Sequence, residues 1–247
     1  AQLIRMKKLK VHNVKTLILD EADKLMDKTY LESIIFIRKS LMKRTQVLLF
    51  SASISNKTIK QANTITYNPV IYELSKENKE LIPKTIKHIF IISDRRERIE
   101  TLRKIAKAVN SDKTMIFINT KYDLEESLQK LQYHNYNVAA LAGNIDKQSK
   151  KKAVEDFQNG RLQYLLATDV AARGLQIDHV STVINVNLPE EPTEYLHRAG
   201  RCGRNNEQGL CISIITENEL NKIKKYQKAF NINIVQKRLY NGKIVSK

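Results

Sequence analysis

The chain has 247 residues, of which 42% are hydrophobic, and its 43 lysines and arginines against 26 acids leave a formal net charge of +17. That length suits one large domain or two small ones, and the charge favours a polyanion such as nucleic acid, or an acidic membrane surface. Cys202 and Cys211 are too few for a disulfide framework and lack zinc-site spacing, while the absence of a bilayer-length apolar run or a signal-peptide pattern points to a cytoplasmic protein with reduced thiols.

The opening AQLIRMKKLKVHNVKTLILD reads as a helix end and a loop leading into a strand, which suggests a start in mid-domain. Short apolar runs then alternate with amphipathic stretches, the pattern of βα units and a mostly parallel sheet. The expected strands are 17-LILD-20, 47-VLLF-50, 70-VIYEL-74, 87-KHIFIIS-93, 114-TMIFIN-119, 137-NVAAL-141, 163-QYLLAT-168, 182-TVINVNL-188 and 211-CISIIT-216. Helices are expected over 57–63, 96–109, 121–133, 147–159 and 217–230, with Gly160 stopping the fourth. In the last of these, Leu220, Ile223 and Phe230 form a core-facing stripe. The polar stretch 75-SKENKELIPKT-85 reads as a linker, giving a first unit at 1–75, a linker at 76–84 and a second unit at 85–247. Three parallel strands leave an apolar face and a sheet edge uncovered, so the first unit is expected to be incomplete.

The stretch 20-DEAD-23 sets acids at the end of a strand. Asp20 could cap a helix starting at Glu21. Alternatively, acids at the carboxyl end of a parallel strand stand where such sheets bind ligands, and suit a magnesium ion or an activated water. Further on, 197-HRAGRCGR-204 sets Arg201 and Arg204 three apart, so that on a helical turn two guanidinium forks meet one phosphate, with Gly200 and Gly203 leaving room for close approach. A surface helix with ordinary salt bridges is the plainer alternative. In 167-ATDVAARGLQID-178, Thr168 and Asp169 end a strand and Gly174 breaks the following turn.

Taken in order, DEAD, 51-SAS-53, 115-MIFINT-120, 167-ATDVAARGLQID-178 and HRAGRCGR resemble the DEAD-box family of ATP-dependent RNA helicases over nearly the whole chain. The resemblance implies an α/β fold of two RecA-like parallel sheets flanked by helices, the first incomplete. It implies ATP and Mg2+ as cofactors and RNA as partner, held by its backbone with little sequence preference. By the same resemblance Asp20 holds magnesium through water and Glu21 positions the attacking water. Arg201 and Arg204 act as arginine fingers on ATP, and Gly174 lines the nucleotide site. Asp23, Ser51, Ser53 and His197 couple the two domains as they close over RNA and nucleotide. Thr120, Gly143, Lys150, Thr168 and Asp169 face the RNA. Taken singly, Thr120 and Gly143 would more often be a helix cap and a turn glycine.

Three segments depart from the family pattern. Ser53 replaces a threonine, Gln176 stands where an aspartate near the ribose is usual, and Lys147 and Lys150 stand for a glutamine and an arginine. Lys151 and Lys152 read equally well as a solvated face. The phosphate loop GxxxxGK[ST] is not in the sequence: Gly242-Lys243 is followed by Ile244. The loop and the other first-domain motifs are expected to precede Ala1. Intact, such a protein is an RNA-stimulated ATPase that unwinds short duplexes, and this chain alone is expected to be inactive. A non-catalytic RNA-binding or regulatory module would have no physical need for Asp20, Glu21, Arg201 and Arg204. A DNA helicase is disfavoured by the agreement of DEAD with HRAGRCGR.

Overall fold

The computed structural model describes residues 1–51, 56–72, 82–142, 145–172, 175, 177, 179–203 and 207–246. The chain divides into two units, Ala1–Glu77 and Asn78–Lys247.

In the first unit, α1 (Gln2–Arg5) precedes β1 (Thr16–Leu19), α2 (Ala22–Leu25), α3 (Lys28–Ser40), β2 (Gln46–Leu49) and α4 (Asn56–Ala62). β1 and β2 pair in parallel with Leu19 opposite Leu49. α3 is not among the expected helices, although Leu31, Ile34 and Ile35 recur at helical spacing; Ile34 packs with Leu19, Met26 and Ile65. Arg38 anchors the helix by donating from Nε to the Ile65 carbonyl at 3.1 Å. The strand expected at 70–74 does not form at 70–72, and 73–74 lie outside the described residues.

The second unit holds β3 (Ile86–Ile92), α5 (Arg98–Val109), β4 (Thr114–Phe117), α6 (Lys121–Tyr133), β5 (Val138–Leu141) and α7 (Lys147–Gln158). It continues with β6 (Tyr164–Ala167), α8 (Asp169–Ala172), β7 (Thr182–Asn185), α9 (Pro192–Ala199), β8 (Gly209–Ile215), α10 (Leu220–Phe230), β9 (Ile234–Tyr240) and β10 (Lys243–Ser246). The strands lie in the order β10-β9-β3-β8-β7-β4-β6-β5, parallel apart from the antiparallel β9–β10 pair. β4, β6 and β7 are buried throughout, which explains their unbroken apolar runs. Side chains alternate between two cores: Met115 and Phe117 join one with α7, α9 and α10, Ile116 and Ile118 the other with α5 and α6.

Capping accounts for the helix limits. Thr120 starts α6, Asp146 starts α7 by accepting from the Gln148 and Ser149 N–H groups, Pro192 opens α9, and a Thr216–Glu219 capping box precedes α10. Gly160, at φ +75, follows α7 as expected. The helix expected over 217–230 is a 3-10 turn, Glu217–Glu219, followed by α10. Its core stripe also contains Tyr226. Most of the expected linker, 76–81, lies outside the described residues, but Ile82 is 3% exposed within the second unit's core. Its apolar side chain therefore belongs to that unit. β9 and β10 are not among the expected strands.

Candidate functional site

In the first unit, β1 ends at Leu19 and Asp20 stands exposed beyond it, with Oδ1 accepting the Glu21 N–H at 2.9 Å. Asp20 is not a helix cap. The N-cap of α2 is Glu21, which sits in the left-handed region at φ 50 and ψ 47. Such a conformation costs a residue other than glycine about 1–3 kcal/mol, and neighbouring bonds hold it. The Ala22 N–H donates to the Phe50 carbonyl at 2.9 Å, and the Phe50 N–H to the Leu19 carbonyl at 2.8 Å. The acidic turn is thus tied to the end of β2, bringing Asp20, Glu21 and Ser51 to one sheet edge. The Glu21 carboxylate lies 3.6 Å from Lys24 Nζ, and Asp23 occupies the first turn of α2, partly buried. Ser53 lies outside the described residues.

This donor set fits magnesium. Magnesium takes one or two carboxylates while keeping waters and phosphate oxygens, and Asp20 offers an exposed carboxylate beside Glu21 at the strand end.

The second unit gathers its polar groups at the carboxyl ends of β4, β6 and β7, around Arg198 of α9. Arg198 is 1% exposed. Its Nε and Nη2 donate to the two Asp169 carboxylate oxygens at 2.7 and 2.6 Å. Nη2 also donates to Asn119 Oδ1 at 2.7 Å, and Nη1 to the Asn187 carbonyl at 2.8 Å and Asn185 Oδ1 at 3.3 Å. All five guanidinium N–H groups are thereby satisfied, and the cation sits 5.1 Å from the centre of the Phe117 ring. Asn185 in turn donates to Ser213 Oγ at 3.2 Å. Asn119 donates to the Leu188 carbonyl at 3.1 Å.

Of the octapeptide, His197, Arg201 and Arg204 are the residues expected at the site, and Arg198 is not among them. A signal was present: asparagines inside the apolar runs 115-MIFIN-119 and 182-TVINVN-187 must find partners when buried. Asp169, expected at the RNA, has both oxygens on Arg198. That pair makes Asp169 the clamp of Arg198 at the end of β6.

Thr168 and Thr120 occupy neighbouring strand ends, since β4 and β6 pair with Phe117 opposite Ala167. Thr168 Oγ1 accepts the Ala171 N–H at 3.3 Å, and Thr120 Oγ1 accepts the Asp123 N–H at 3.1 Å, capping α6. Each hydroxyl keeps its own hydrogen to donate, and the N-terminus of α6 favours an anion beside Thr120. Lys150 lies in the first turn of α7, partly buried, with Lys147 exposed beside it. The exposed Lys151 pairs with Glu155 at 3.6 Å, as a solvated face would.

His197 is partly buried near the end of α9. That helix ends at Ala199, so Arg201 sits in the turn beyond it, and among the described residues 200–203 no helical turn continues α9. Arg201 Nη1 donates to the Leu175 carbonyl at 2.8 Å. Gly143, Gly174, Gln176 and Arg204 lie outside the described residues. Gly203 has φ +67, and a Cβ there would meet Ile86 Cγ1 at 2.5 Å. Its smallness serves the packing of this turn on β3 rather than the approach of a ligand.

Two family models match the chain: "DEAD/DEAH box helicase" over residues 1–62 and "Helicase conserved C-terminal domain" over 97–206. A DEAD-box ATP-dependent RNA helicase of Bacillus cereus, CshC, is 33% identical over 99% of this chain and 62% of its own length. A probable ATP-dependent RNA helicase of Bacillus subtilis, YfmL, is 31% identical over 100% of this chain and 64% of its own. The chain thus spans less than two thirds of either relative. Among solved structures, S. cerevisiae Dbp5 bound to RNA and ADP BeF3 superposes with a TM-score of 0.87 at 29% identity, covering 96% of this chain and 63% of that one.

Proposed function

Because the chain belongs to the DEAD-box helicase family and has its RecA-like α/β fold, we propose that the protein is an ATP-dependent RNA helicase that couples ATP binding and hydrolysis to local unwinding of RNA duplexes. One observation carries the reading. The acids of DEAD stand at a strand end in the first unit, while in the second a fully bonded Arg198 fixes the segment that presents Arg201.

In this reading Asp20 would hold magnesium, with water between them, and Glu21 would orient the attacking water. Magnesium supplies charge neutralisation to the phosphates. Arg201 and Arg204 stabilise charge developing on the transferred phosphoryl group. Asp23, Ser51, Ser53 and His197 couple the units to each other during the cycle. Thr120, Gly143, Lys150 and Thr168 hold RNA by its backbone, which gives low sequence preference. The protein is taken to act in the cytoplasm; among the described residues no helix is long and apolar enough to cross a membrane.

ATP hydrolysis by the 247-residue chain, with and without RNA, tests this reading together with salt-dependent RNA binding. The chain lacks the phosphate loop, so RNA binding without turnover is expected. Joined to a segment that carries the loop, it should hydrolyse ATP on adding RNA, and replacing Arg201 by alanine should lower that rate about 10³-fold or more. Undiminished turnover in the variant would reject the finger assignment.

A further inference from the structure

The last two strands lie beyond residue 206, where the C-terminal family match ends. From Leu220 to Lys247 the chain carries eight lysines and arginines and no acid. Asn241 and Gly242, at φ 46 and φ 72, join β9 to β10 in a two-residue turn, with Tyr240 paired to Lys243 and Arg238 to Val245. Ile234 packs in the core with Ile223, Tyr226 and Phe230 of α10, whereas Leu239 and Ile244 pack into the opposite core. Strand alternation therefore places Gln236, Arg238 and Tyr240 on the α10 side of the sheet. α10 ends at Phe230, and Tyr240 is 59% exposed.

The Arg238 guanidinium lies 5.6 Å from the centre of the Tyr240 ring. On α10, Lys222 and Lys225 pair with Glu190 and Glu191 at 2.7 and 3.9 Å. Among the described residues Lys224, Lys228, Arg238 and Lys243 have no such acidic partner. An aromatic face flanked by unneutralised cations matches a base with phosphates on either side: the ring supplies stacking to any base and the cations track the backbone.

We propose that this face of the β9–β10 hairpin is a second binding site for single-stranded RNA, in which Tyr240 stacks on a base and Arg238 and Lys243 take the flanking phosphates. It lengthens the RNA footprint past the strand ends that carry Thr120 and Thr168, and it is tolerant of sequence. The inference rests on the reading of the chain as an RNA-handling protein.

Fluorescence anisotropy of the full chain with uridine oligomers of about 8 and about 20 nucleotides separates the two sites. Tyr240→Ala should weaken binding of the longer oligomer about tenfold and leave the shorter unchanged, and Tyr240→Phe should restore it. The double variant Arg238→Ala with Lys243→Ala should lower the salt slope by about 1.4 for the longer oligomer alone. Unchanged affinity at both lengths overturns the proposal and leaves the face to a protein partner. Equal losses at both lengths overturn it too, since the hairpin would not extend the footprint. Failure of the unaltered chain to bind either oligomer would overturn the RNA reading itself, a result distinct from both.

Discussion

Arg198 shows how much one side chain can decide. Its five donors reach four residues on three different strand ends, so that α9 cannot shift without breaking several bonds together. Lysine at this position keeps the charge but concentrates three donors at one point. Arg198→Lys should therefore leave buried acceptors unmet and cost about 3 kcal/mol, read as a lower urea midpoint with unchanged slope. A midpoint within experimental error of the parent would show that the network is dispensable. The buried network was half legible: HRAGRCGR marked the segment, but which arginine faces inward depends on where α9 ends.

At the scale of elements, the junction of β3 with the α9 segment carries two expectations. Gly203→Ala must place a methyl group 2.5 Å from Ile86 Cγ1 while holding φ +67. Gly160→Ala, at φ +75 with nothing within 4 Å, bears only the backbone strain. Thermal unfolding should show a loss of about 1 kcal/mol for the second and about 2–4 kcal/mol for the first. Ile86→Ala added to Gly203→Ala should recover part of the excess, and strict additivity would contradict the steric account.

The same junction holds His88 of β3, buried, with Nδ1 2.8 Å from the hydroxyl of Tyr195 on α9 and Nε2 lacking a partner among the described residues. Burial disfavours the imidazolium and pushes its pKa from the ordinary 6.5 down to about 4. Between these values the unfolded chain binds a proton that the folded one does not. Stability should therefore fall as pH drops from about 6.5 to about 4, by up to about 3 kcal/mol. Comparing unfolding across that range with His88→Gln isolates this contribution. A parallel pH dependence in the variant would assign the slope to other groups.

At the scale of the whole molecule, the two units differ in what holds them. The second has cores on both faces of an eight-stranded sheet. The described core of the first centres on Leu19, Met26, Ile34 and Ile65 beside a two-stranded sheet. Two strands depend on what packs against them. Amides of β1 and β2 should exchange with solvent deuterium at least about 10²-fold faster than those of β4, β6 and β7, because they open at lower free energy. Equal protection in both units would refute this difference.

Strand positions, the parallel α/β class, the Thr120 cap and the strand-end acids follow from sequence because each depends on local period, local hydrogen bonding or a run of adjacent residues. The strand at 70–72 failed because an apolar run needs a neighbouring ladder to become a strand. The hairpin of β9 and β10 was missed because its alternation is interrupted by basic residues, and its pairing with β3 joins residues about 146 positions apart, His88 with Ile234. Tertiary structure alone made Asp169 a clamp, set Gly203 against Ile86, and chose Arg198 over its neighbours for burial. Those outcomes depend on which distant strand ends meet, and no local pattern encodes that meeting.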